Sequence, residues 1–306
     1  MGLEVRNLYK KYGEKVVVDN LCFEMKKPGV YALLGTNGAG KTTSIRMMLG
    51  MLAKDGGEVL WNGQPLTMDN CNVGYLAEER GLYPKYSLMD QLMYFAGLRG
   101  VSKEEAKKRI AYWAEKLGAT EYLFPEKKTK PKLADELSKG NQQKIQFMVA
   151  LISDPELIIL DEPLSGLDPV NTDLFKGIIR EEIAKGKNLI MSSHQMATVE
   201  EFCTDITILD RSKTVLQGHL GEIKKSYGRV NLKLKTEQDA QSYIGESGAR
   251  IITMKETEYQ LRVDGEEQAN ALLGRLIDAG IQVVTFDLRE PSLHEIFVEK
   301  VGDYHE

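Results

Sequence analysis

Apolar and polar residues alternate in two N-terminal segments, and continuous apolar runs follow further along the chain. The alternation predicts strands at 3–8 and 16–25. The run 30–34 is short and bounded by glycine, which is typical of a parallel strand buried on both faces. Similar apolar runs at 73–76, 157–160, 188–192 and 206–209 predict further strands of this kind. The segments between the strands predict helices at 41–52, 170–184 and 197–202. The pattern predicts an α/β domain with an N-terminal antiparallel β subdomain.

Two further segments depart from this pattern. Residues 87–152 show helical periodicity, so we expect a helical insertion there. From residue 228 onward the order strand, helix, strand, strand, helix, strand is the ferredoxin-like pattern, and a final helix follows at 292–300. The segments are strands at 230–235, 251–254, 259–263 and 283–288, with helices at 237–246 and 266–279. We therefore expect one domain at 1–220 and a small α+β domain at 221–306.

Composition and charge exclude several classes of protein. The chain has 306 residues, 42% hydrophobic and 28% charged, which is typical of a globular protein and not of a disordered one. Its apolar runs fall far short of the roughly 20 residues of a membrane span, and the charged N-terminus does not resemble a signal peptide. We expect a cytoplasmic protein. The three cysteines lack the paired spacing of a zinc site.

The net charge of −5 is unevenly distributed along the chain. From Gly221 onward there are 16 acidic and 11 basic residues, which leaves 29 of each before it. Neither part is strongly basic, so electrostatics give no support to a nucleic-acid partner. The acidic excess of the C-terminal part predicts that it stays away from anionic lipid headgroups.

A glycine-rich loop between a buried strand and a helix carries the strongest chemical signal. The segment Gly35-Thr36-Asn37-Gly38-Ala39-Gly40-Lys41-Thr42 fits the G-x-x-x-x-G-K-[ST] pattern, and Thr43 follows it. Glycines allow backbone N–H groups to converge on a phosphate, and the helix N-terminus adds the positive end of its dipole. Lys41 is expected to reach the β- and γ-phosphates, and Thr42 to ligate Mg²⁺.

A second nucleotide-site signal lies at the end of the apolar strand 157–160. Asp161 follows that strand and is expected to hold Mg²⁺, directly or through water. Glu162 is next, and a carboxylate beside the γ-phosphate can accept a proton from the attacking water. Alone, the two acids could equally be solvated residues at a strand end, but the phosphate loop favours the catalytic interpretation.

The order of these motifs resembles that of the ABC-type ATPases. Residues 137–143 (Leu-Ser-Lys-Gly-Asn-Gln-Gln) are similar to the family's signature, residues 165–168 to its D-loop, and His194 to its switch histidine. Tyr12 stands where the family has an aromatic residue that stacks on adenine. The resemblance covers residues 1 to about 220. It implies a P-loop NTPase fold and ATP with Mg²⁺ as cofactors.

The resemblance also implies a role for each matching residue. The catalytic candidates are Glu162, His194 and Lys41. The nucleotide contacts it implies are Tyr12, Gly35, Thr36, Asn37, Gly38, Ala39, Gly40, Lys41, Thr42, Thr43, Ser138, Gly140, Gln142 and Asp168. The metal candidates are Thr42, Glu78 and Asp161. Ser138 and Gly140 begin a predicted helix, where in the family they contact the nucleotide of the opposite subunit; Ser138 is also a plain N-cap.

The chain departs from the family pattern at three positions. Lys139 and Asn141 replace the usual glycine and glutamine of the signature, and Glu78 stands in the place of a glutamine. Glu78 can still ligate Mg²⁺, but it adds negative charge near the γ-phosphate. We expect activity with an altered dependence on pH and Mg²⁺.

The resemblance further implies a transporter subunit with two kinds of partner. The C-terminal sequence 290–300 looks like the extension on ATPase subunits of bacterial ABC-2-type exporters, including sodium and antibiotic exporters. The implied partners are a membrane permease and a second ATPase subunit, either another copy of this chain in a homodimer or a sister subunit, at the inner face of the cell membrane. The permease is expected to dock on Arg80, Leu82, Tyr83, Tyr86 and Tyr94, although Tyr94 and Phe95 could instead be core residues.

Two other classes remain open at this stage. One is an ABC-type ATPase without a transporter, such as a translation or chromosome protein. Those proteins usually carry two nucleotide domains or long coiled coils, and this chain has neither. The other is a binding module without catalysis, which the presence of Asp161, Glu162 and His194 disfavours.

Overall fold

The structure, a computed structural model, describes residues 2–79, 81–125 and 130–302. Contacts divide the chain into two compact units, with the boundary between Gln217 and Gly218. The boundary lies three residues before the one expected from the sequence. Arg80, which the sequence suggested as a docking residue, lies outside the described residues.

The first unit combines sheets and helices in one α/β arrangement. Its strands are β1 (Leu3–Tyr12), β2 (Lys15–Met25), β3 (Gly29–Gly35), β4 (Gly56–Trp61), β5 (Gln64–Pro65), β6 (Val73–Leu76), β7 (Leu157–Asp161), β8 (Asn188–Ser193), β9 (Asp205–Asp210) and β10 (Lys213–His219). Its helices are α1 (Lys41–Met48), α2 (Leu88–Leu98), α3 (Lys103–Lys116), α4 (Thr120–Leu123), α5 (Lys139–Leu151), α6 (Pro169–Ala184) and α7 (Met196–Phe202), with a 3₁₀ turn at Ala134–Glu136.

The larger sheet fixes the position of the candidate site. Its strand order is β10-β9-β3-β8-β7-β6, and β9, β3, β8, β7 and β6 run parallel. Leu34 is paired with Ser193 and Asp161 with Ser192, so these strands end at one edge. The residues that follow β3, β6, β7 and β8 therefore meet there, as is usual for ligand sites of open α/β sheets.

A smaller antiparallel sheet, in the order β2-β1-β4-β5, packs over α1 and the larger sheet. One apolar cluster joins the three layers and includes Leu8 and Trp61 from the small sheet, Ile45 from α1 and Leu33 from β3. The same packing brings β2 against the glycine-rich loop. The predicted β subdomain is thus part of the support of that loop.

The helical insertion begins and ends close to the predicted limits. Ser87 and Ser102 cap α2 and α3, because their hydroxyls accept from the backbone N–H groups of Asp90 and Glu105. Helix α1 is shorter than predicted: it ends at Met48 and not near Leu52, because Gly50 adopts a left-handed φ of 68° just beyond it.

The second unit has the ferredoxin-like topology. Its elements are α8 (Leu220–Tyr227), β11 (Asn231–Thr236), α9 (Gln241–Ser247), β12 (Arg250–Lys255), β13 (Glu258–Arg262), α10 (Glu266–Asp278), β14 (Val283–Arg289) and α11 (Leu293–Gly302). The sheet order is β12-β13-β11-β14, with antiparallel neighbours. Leu232, Leu234 and Tyr259 form its core with residues of α9 and α10.

Two details of this unit differ from the sequence prediction. Helix α9 begins four residues later, because the Asp239 carboxylate accepts from the Gln241 N–H and holds the preceding residues in a turn. Helix α8 was not predicted; Gly228, with φ of 70°, ends it. Among the described residues, no helix is both long and apolar enough to cross a bilayer.

Candidate functional site

The glycine-rich loop lies between β3 and α1 and wraps around the Lys41 side chain. The Lys41 ammonium donates to the Gly35 carbonyl at 2.8 Å and to the Thr36 carbonyl at 3.2 Å. Thr36, Asn37 and Gly38 are exposed, whereas Ala39 and Gly40 are buried. The loop thus presents an open backbone arc above a buried cation.

Two of the glycines are required by their surroundings. A Cβ on Gly35 would lie 2.4 Å from the Leu209 carbonyl oxygen, and one on Gly40 would lie 2.5 Å from that of Val17. Gly40 also has φ of 107°, which a residue with a side chain rarely adopts. The close approach of Val17 in β2 explains why the antiparallel sheet and the loop form one packed body.

Asp161 ends β7 inside the protein, beside this loop. It is 1% exposed, and one carboxylate oxygen accepts from the Ser192 hydroxyl. Burial raises the pKa of Asp161, and the hydrogen bond from Ser192 and the nearby Thr42 hydroxyl partly oppose that rise. The other oxygen, Oδ2, is buried and has no hydrogen-bond partner among the described residues.

Glu162 is held between two basic side chains. Its Oε2 lies 2.8 Å from His194 Nδ1, and its Oε1 lies 3.6 Å from the Lys41 ammonium. The Glu162 side chain is 6% exposed, whereas that of His194 is 49% exposed. The three side chains therefore run from the phosphate loop to the solvent, with the carboxylate in the middle.

The backbone of Glu162 is strained. Its φ is 49°, in the left-handed region that costs a non-glycine residue on the order of 1–3 kcal/mol. Its N–H donates to the Ser192 hydroxyl at 2.9 Å, which helps to hold the conformation. Strain of this kind is concentrated at functional sites.

Ser192 is a site residue that sequence reasoning missed. Its buried hydroxyl donates to Asp161 and accepts from the Glu162 N–H, so one side chain fixes both acids. The only sequence signal was its place just before Ser193 and His194. The contact itself joins residues 30 and 31 positions apart, which no local pattern reveals.

The signature segment forms the start of α5. Ser138 is exposed and caps the helix by accepting from the Asn141 N–H. Gly140 faces the D-loop and the start of α6, since a Cβ there would lie 3.7 Å from Leu167 Cδ2 and 3.4 Å from the Asn171 amide nitrogen. The Gln142 amide donates to the carbonyls of Ala134 and Leu137, so it holds the backbone before the helix. A nucleotide contact by Gln142 stays a prediction.

The remaining candidates are Asp168, Tyr12 and Glu78. Asp168 caps α6, and the backbone N–H of Asn171 lowers its pKa. Tyr12 ends β1, is 53% exposed and has the Lys10 ammonium 5.2 Å from its ring centre. Glu78 is exposed in the segment after β6, and the next residue's carbonyl accepts from Gln146 of α5.

Comparison with known proteins assigns the family. The ABC transporter family matches residues 18–165, and the ATP-binding protein DrrA1-3-like C-terminal domain matches residues 218–301. An uncharacterized ABC transporter ATP-binding protein of Bacillus subtilis, YhaQ, is 42% identical over 99% of this chain and 100% of its own length. The chain belongs to the ABC transporter ATP-binding family. Members of this family are ATPases, so this ABC ATPase is an ATP hydrolase.

More distant relatives agree with this assignment. The linearmycin resistance ATP-binding protein LnrL of B. subtilis is 28% identical over 98% of both chains. A Nod factor export ATP-binding protein I of Burkholderia orbicola is 31% identical over 71% of this chain and 70% of its own. A solved ATP-binding subunit of an ABC transporter is 28% identical and superposes with a TM-score of 0.66, over 74% of this chain and 93% of that one. The predicted fold class is confirmed.

The role of Ser192 leads to a prediction. Replacing it with alanine leaves the Glu162 N–H and an Asp161 oxygen without a partner inside the protein. We expect Ser192→Ala to lower the free energy of unfolding by about 2 kcal/mol in urea titrations and to reduce ATP hydrolysis at least tenfold. Ser193→Ala is the control, because the Ser193 hydroxyl accepts only from the Gln195 N–H in the described structure. Equal loss of activity in both variants would contradict the assigned role.

Proposed function

We propose that this ABC ATPase binds Mg²⁺-ATP at the glycine-rich loop, pairs head to tail with a second copy, and powers export through a separate membrane permease. The observation that carries the proposal is the buried Glu162 carboxylate, held by Lys41 and His194 beside that loop. The second feature is the exposed signature at the start of α5. The first supports hydrolysis and the second supports pairing.

Phosphate binding follows from the loop and its lysine. Phosphate oxygens take over the Lys41 ammonium from the carbonyls of Gly35 and Thr36, while the backbone N–H groups of residues 36–43 donate to the same oxygens. Tyr12, exposed at the end of β1, offers its ring to adenine. Both contacts are made in the ground state, so they determine ATP affinity.

The side chains beside the glycine-rich loop are suitable ligands for a magnesium ion. Asp161 Oδ2 is a buried carboxylate oxygen without a partner among the described residues, and the Thr42 hydroxyl faces the same carboxylate. Mg²⁺ prefers such oxygen ligands and usually binds through one or two protein groups and the phosphates. We assign Thr42 and Asp161 to the ion, with Glu78, exposed after β6, as a third candidate ligand. When bound, the ion neutralises charge on the β- and γ-phosphates.

Hydrolysis uses the Glu162 carboxylate as the proton acceptor. Water attacks the γ-phosphorus, the bond to the β-phosphate oxygen breaks, and Glu162 takes a proton from the water. His194 holds one carboxylate oxygen through Nδ1 and reaches the solvent side, where the γ-phosphate is expected. Lys41 attracts both the carboxylate and the phosphates, which keeps them close in spite of their like charge.

Pairing with a second copy completes the site. The chain has one phosphate loop and one signature, and the family arranges them head to tail. Ser138 and the N–H groups at the start of α5 form an anion-binding end that is exposed in the single chain. In the pair, these groups contact the γ-phosphate of the ATP that is bound to the partner. Asp168, at the start of α6, lies on the adjacent D-loop.

Replacing the proton acceptor tests this account. We expect Glu162→Gln to bind ATP nearly normally but to lose at least 100-fold in hydrolysis, because an amide keeps the shape and cannot accept the proton. The unhydrolysed ATP should then hold the pair together. Light scattering with Mg²⁺-ATP is expected to give twice the mass of the single chain.

Lys41→Ala is the contrasting control, since it should lose ATP binding itself and stay single. If Glu162→Gln hydrolysed ATP at the normal rate, Glu162 would not be the proton acceptor. Loss of ATP binding in Glu162→Gln would mean that the carboxylate supports the loop and not the chemistry.

Export as the direction of transport rests on the relatives. The names of LnrL and of the Nod factor protein refer to resistance and to export, and the C-terminal unit matches the DrrA1-3-like domain. We infer an ABC-2-type permease as the partner and a position at the cytoplasmic face of the membrane through that permease.

A groove between α2 and the segment before it supports docking of that permease. It encloses about 350 Å³ and is lined by Tyr83, Tyr86, Asp90, Gln91 and Tyr94. The tyrosines are half exposed or more, so Tyr94 is not a core residue. The buried Gln91 amide bonds the backbone of Tyr83 and Tyr86, which fixes the groove in advance. A short amphipathic helix of the permease fits such an aromatic groove.

The groove gives a direct prediction. Tyr83→Ala with Tyr86→Ala should reduce co-purification with the permease about tenfold and leave the hydrolysis of the isolated ATPase unchanged. The permease to test is a protein with about six apolar spans, to be sought in the neighbouring reading frame. Tyr112→Ala is the control, because this tyrosine is similarly exposed but lies on α3, outside the groove. Unaltered co-purification of the double variant would contradict docking here.

A further inference from the structure

The C-terminal unit separates its charges between the two faces of its sheet. Helices α9 and α10 cover one face and together carry four carboxylates and one cation, namely Glu246, Glu266, Glu267, Asp278 and Arg275. By strand register, the other face carries six cations and two carboxylates, namely Lys233, Lys235, Arg250, Lys255, Arg262, Arg289, Glu258 and Asp287. The overall acidity of this unit conceals a basic face, which we call the open face.

Three arginines of the open face lie in one row. The register aligns Arg250 with Arg262, Arg262 with Asn231, and Asn231 with Arg289, across all four strands. Neighbouring strands are about 4.8 Å apart, so the row extends about 15 Å. Like charges directly opposite each other destabilise a sheet. An anion on this row would relieve that repulsion.

Two of these arginines are available to a ligand. Arg250 and Arg289 are exposed, and neither has a carboxylate oxygen of a described residue within ion-pair distance. Glu295 of α11 lies near Arg289 and Arg262, and, against the opposing effect of burial, the hydrogen bonds from Ser292 together with these two positive charges lower its pKa. The third, Arg262, donates to Asn231 Oδ1 at 3.0 Å, which fixes its position. Among the lysines, Lys233 pairs with Glu258 at 2.9 Å. The row thus combines a fixed guanidinium with two exposed ones, of which Arg289 has Glu295 nearby.

Asn231 provides an independent sign of a ligand. Its Nδ2 is buried and has no acceptor among the described residues, although a buried N–H normally has one. Asn231, Lys233 and Arg289 line a cavity of about 30 Å³, which has room for one oxygen atom. Glu295 also lines it, and one of its oxygens, Oε2, accepts from the Ser292 N–H and hydroxyl at 2.7 Å. An incoming carboxylate oxygen would satisfy the amide.

We propose that the open face binds an extended acidic segment of a partner protein, with one carboxylate at Asn231 and others on Arg250 and Arg289. Guanidinium groups bind carboxylates in a bidentate way, which suits a row of separate arginines. Carboxylates of an extended chain that lie four residues apart are about 13.6 Å apart, which is close to the length of the row.

Other anionic partners fit less well. Single-stranded nucleic acid is bound by stacking on aromatic side chains, and the open-face strand residues include none. A two-fold pair of these units would place like faces together, so a second copy does not supply the acids. An anionic bilayer is large enough to interact with the charge of the whole unit, and the 16 acidic and 11 basic residues of that part of the sequence would repel it. A peptide contacts the open face alone.

Binding of a defined peptide tests the proposal. The full-length protein is titrated into a fluorescein-labelled peptide of alternating glutamate and serine, and anisotropy is recorded at low and physiological salt. We expect saturable binding that weakens with salt, and none to the matching glutamine peptide. Absence of saturable binding to the glutamate peptide would overturn the proposal.

Matched variants distinguish binding at this row of arginines from nonspecific electrostatic attraction to the protein. Arg250→Gln with Arg289→Gln should weaken peptide binding about tenfold, and Asn231→Asp should do the same by placing a carboxylate at the cavity. The control, Arg229→Gln with Arg275→Gln, removes the same charge, but these arginines contact Glu266 and the Glu246 carbonyl of the helical side. It should stay within about twofold. ATP hydrolysis should be unchanged in every variant.

Two outcomes would contradict the acidic-segment assignment. One is equal weakening by the control pair, which would indicate attraction without a site. The other is sedimentation with phosphatidylserine vesicles that depends on Arg250 and Arg289 while the peptide does not bind, which would assign the open face to a membrane.

Discussion

The buried Glu162 carboxylate between Lys41 and His194 is the interaction on which the rest of the ATPase unit depends. A carboxylate taken out of water needs partners, and both partners lie in segments that follow other strands of the sheet. Lys41 follows β3 and His194 follows β8, so the parallel order of β3, β8 and β7 is what places them together. Ser192 then fixes Glu162 in a strained conformation and Asp161 beside it. The strand order thus brings the charged side chains of Lys41, Asp161, Glu162 and His194 together at one edge of the larger sheet.

The sequence predicted most of this edge, because the motifs are local. The phosphate loop, the two acids after β7 and the histidine after β8 are each recognisable within a few residues. Continuous apolar runs predicted the parallel strands that carry them. The structure adds what no local pattern contains: the hydroxyl of Ser192 shared between two acids, and the Gln142 amide that holds the backbone before the signature helix. These contacts depend on packing between segments far apart in the chain.

For the C-terminal unit, the sequence predicted the fold but not the candidate binding face. Its strand and helix order predicted the ferredoxin-like topology, and the count of charges predicted an acidic domain. Counting cannot show that carboxylates predominate on α9 and α10 and cations on the far side of the sheet, because that division depends on register. A β-strand alternates its faces, so the alignment of Arg250, Arg262 and Arg289 becomes visible only when the strands are paired.

The central claim is that Lys41, Glu162 and His194 act as one unit in hydrolysis. A double-mutant cycle of Glu162→Gln and His194→Ala, measured as single-turnover ATP hydrolysis with ATP bound, tests it most directly. Residues that act together show strongly non-additive losses. We predict that the double variant loses about as much as Glu162→Gln alone, a coupling of at least about 1 kcal/mol. Losses that multiply independently would show that His194 acts apart from Glu162 and would contradict the account.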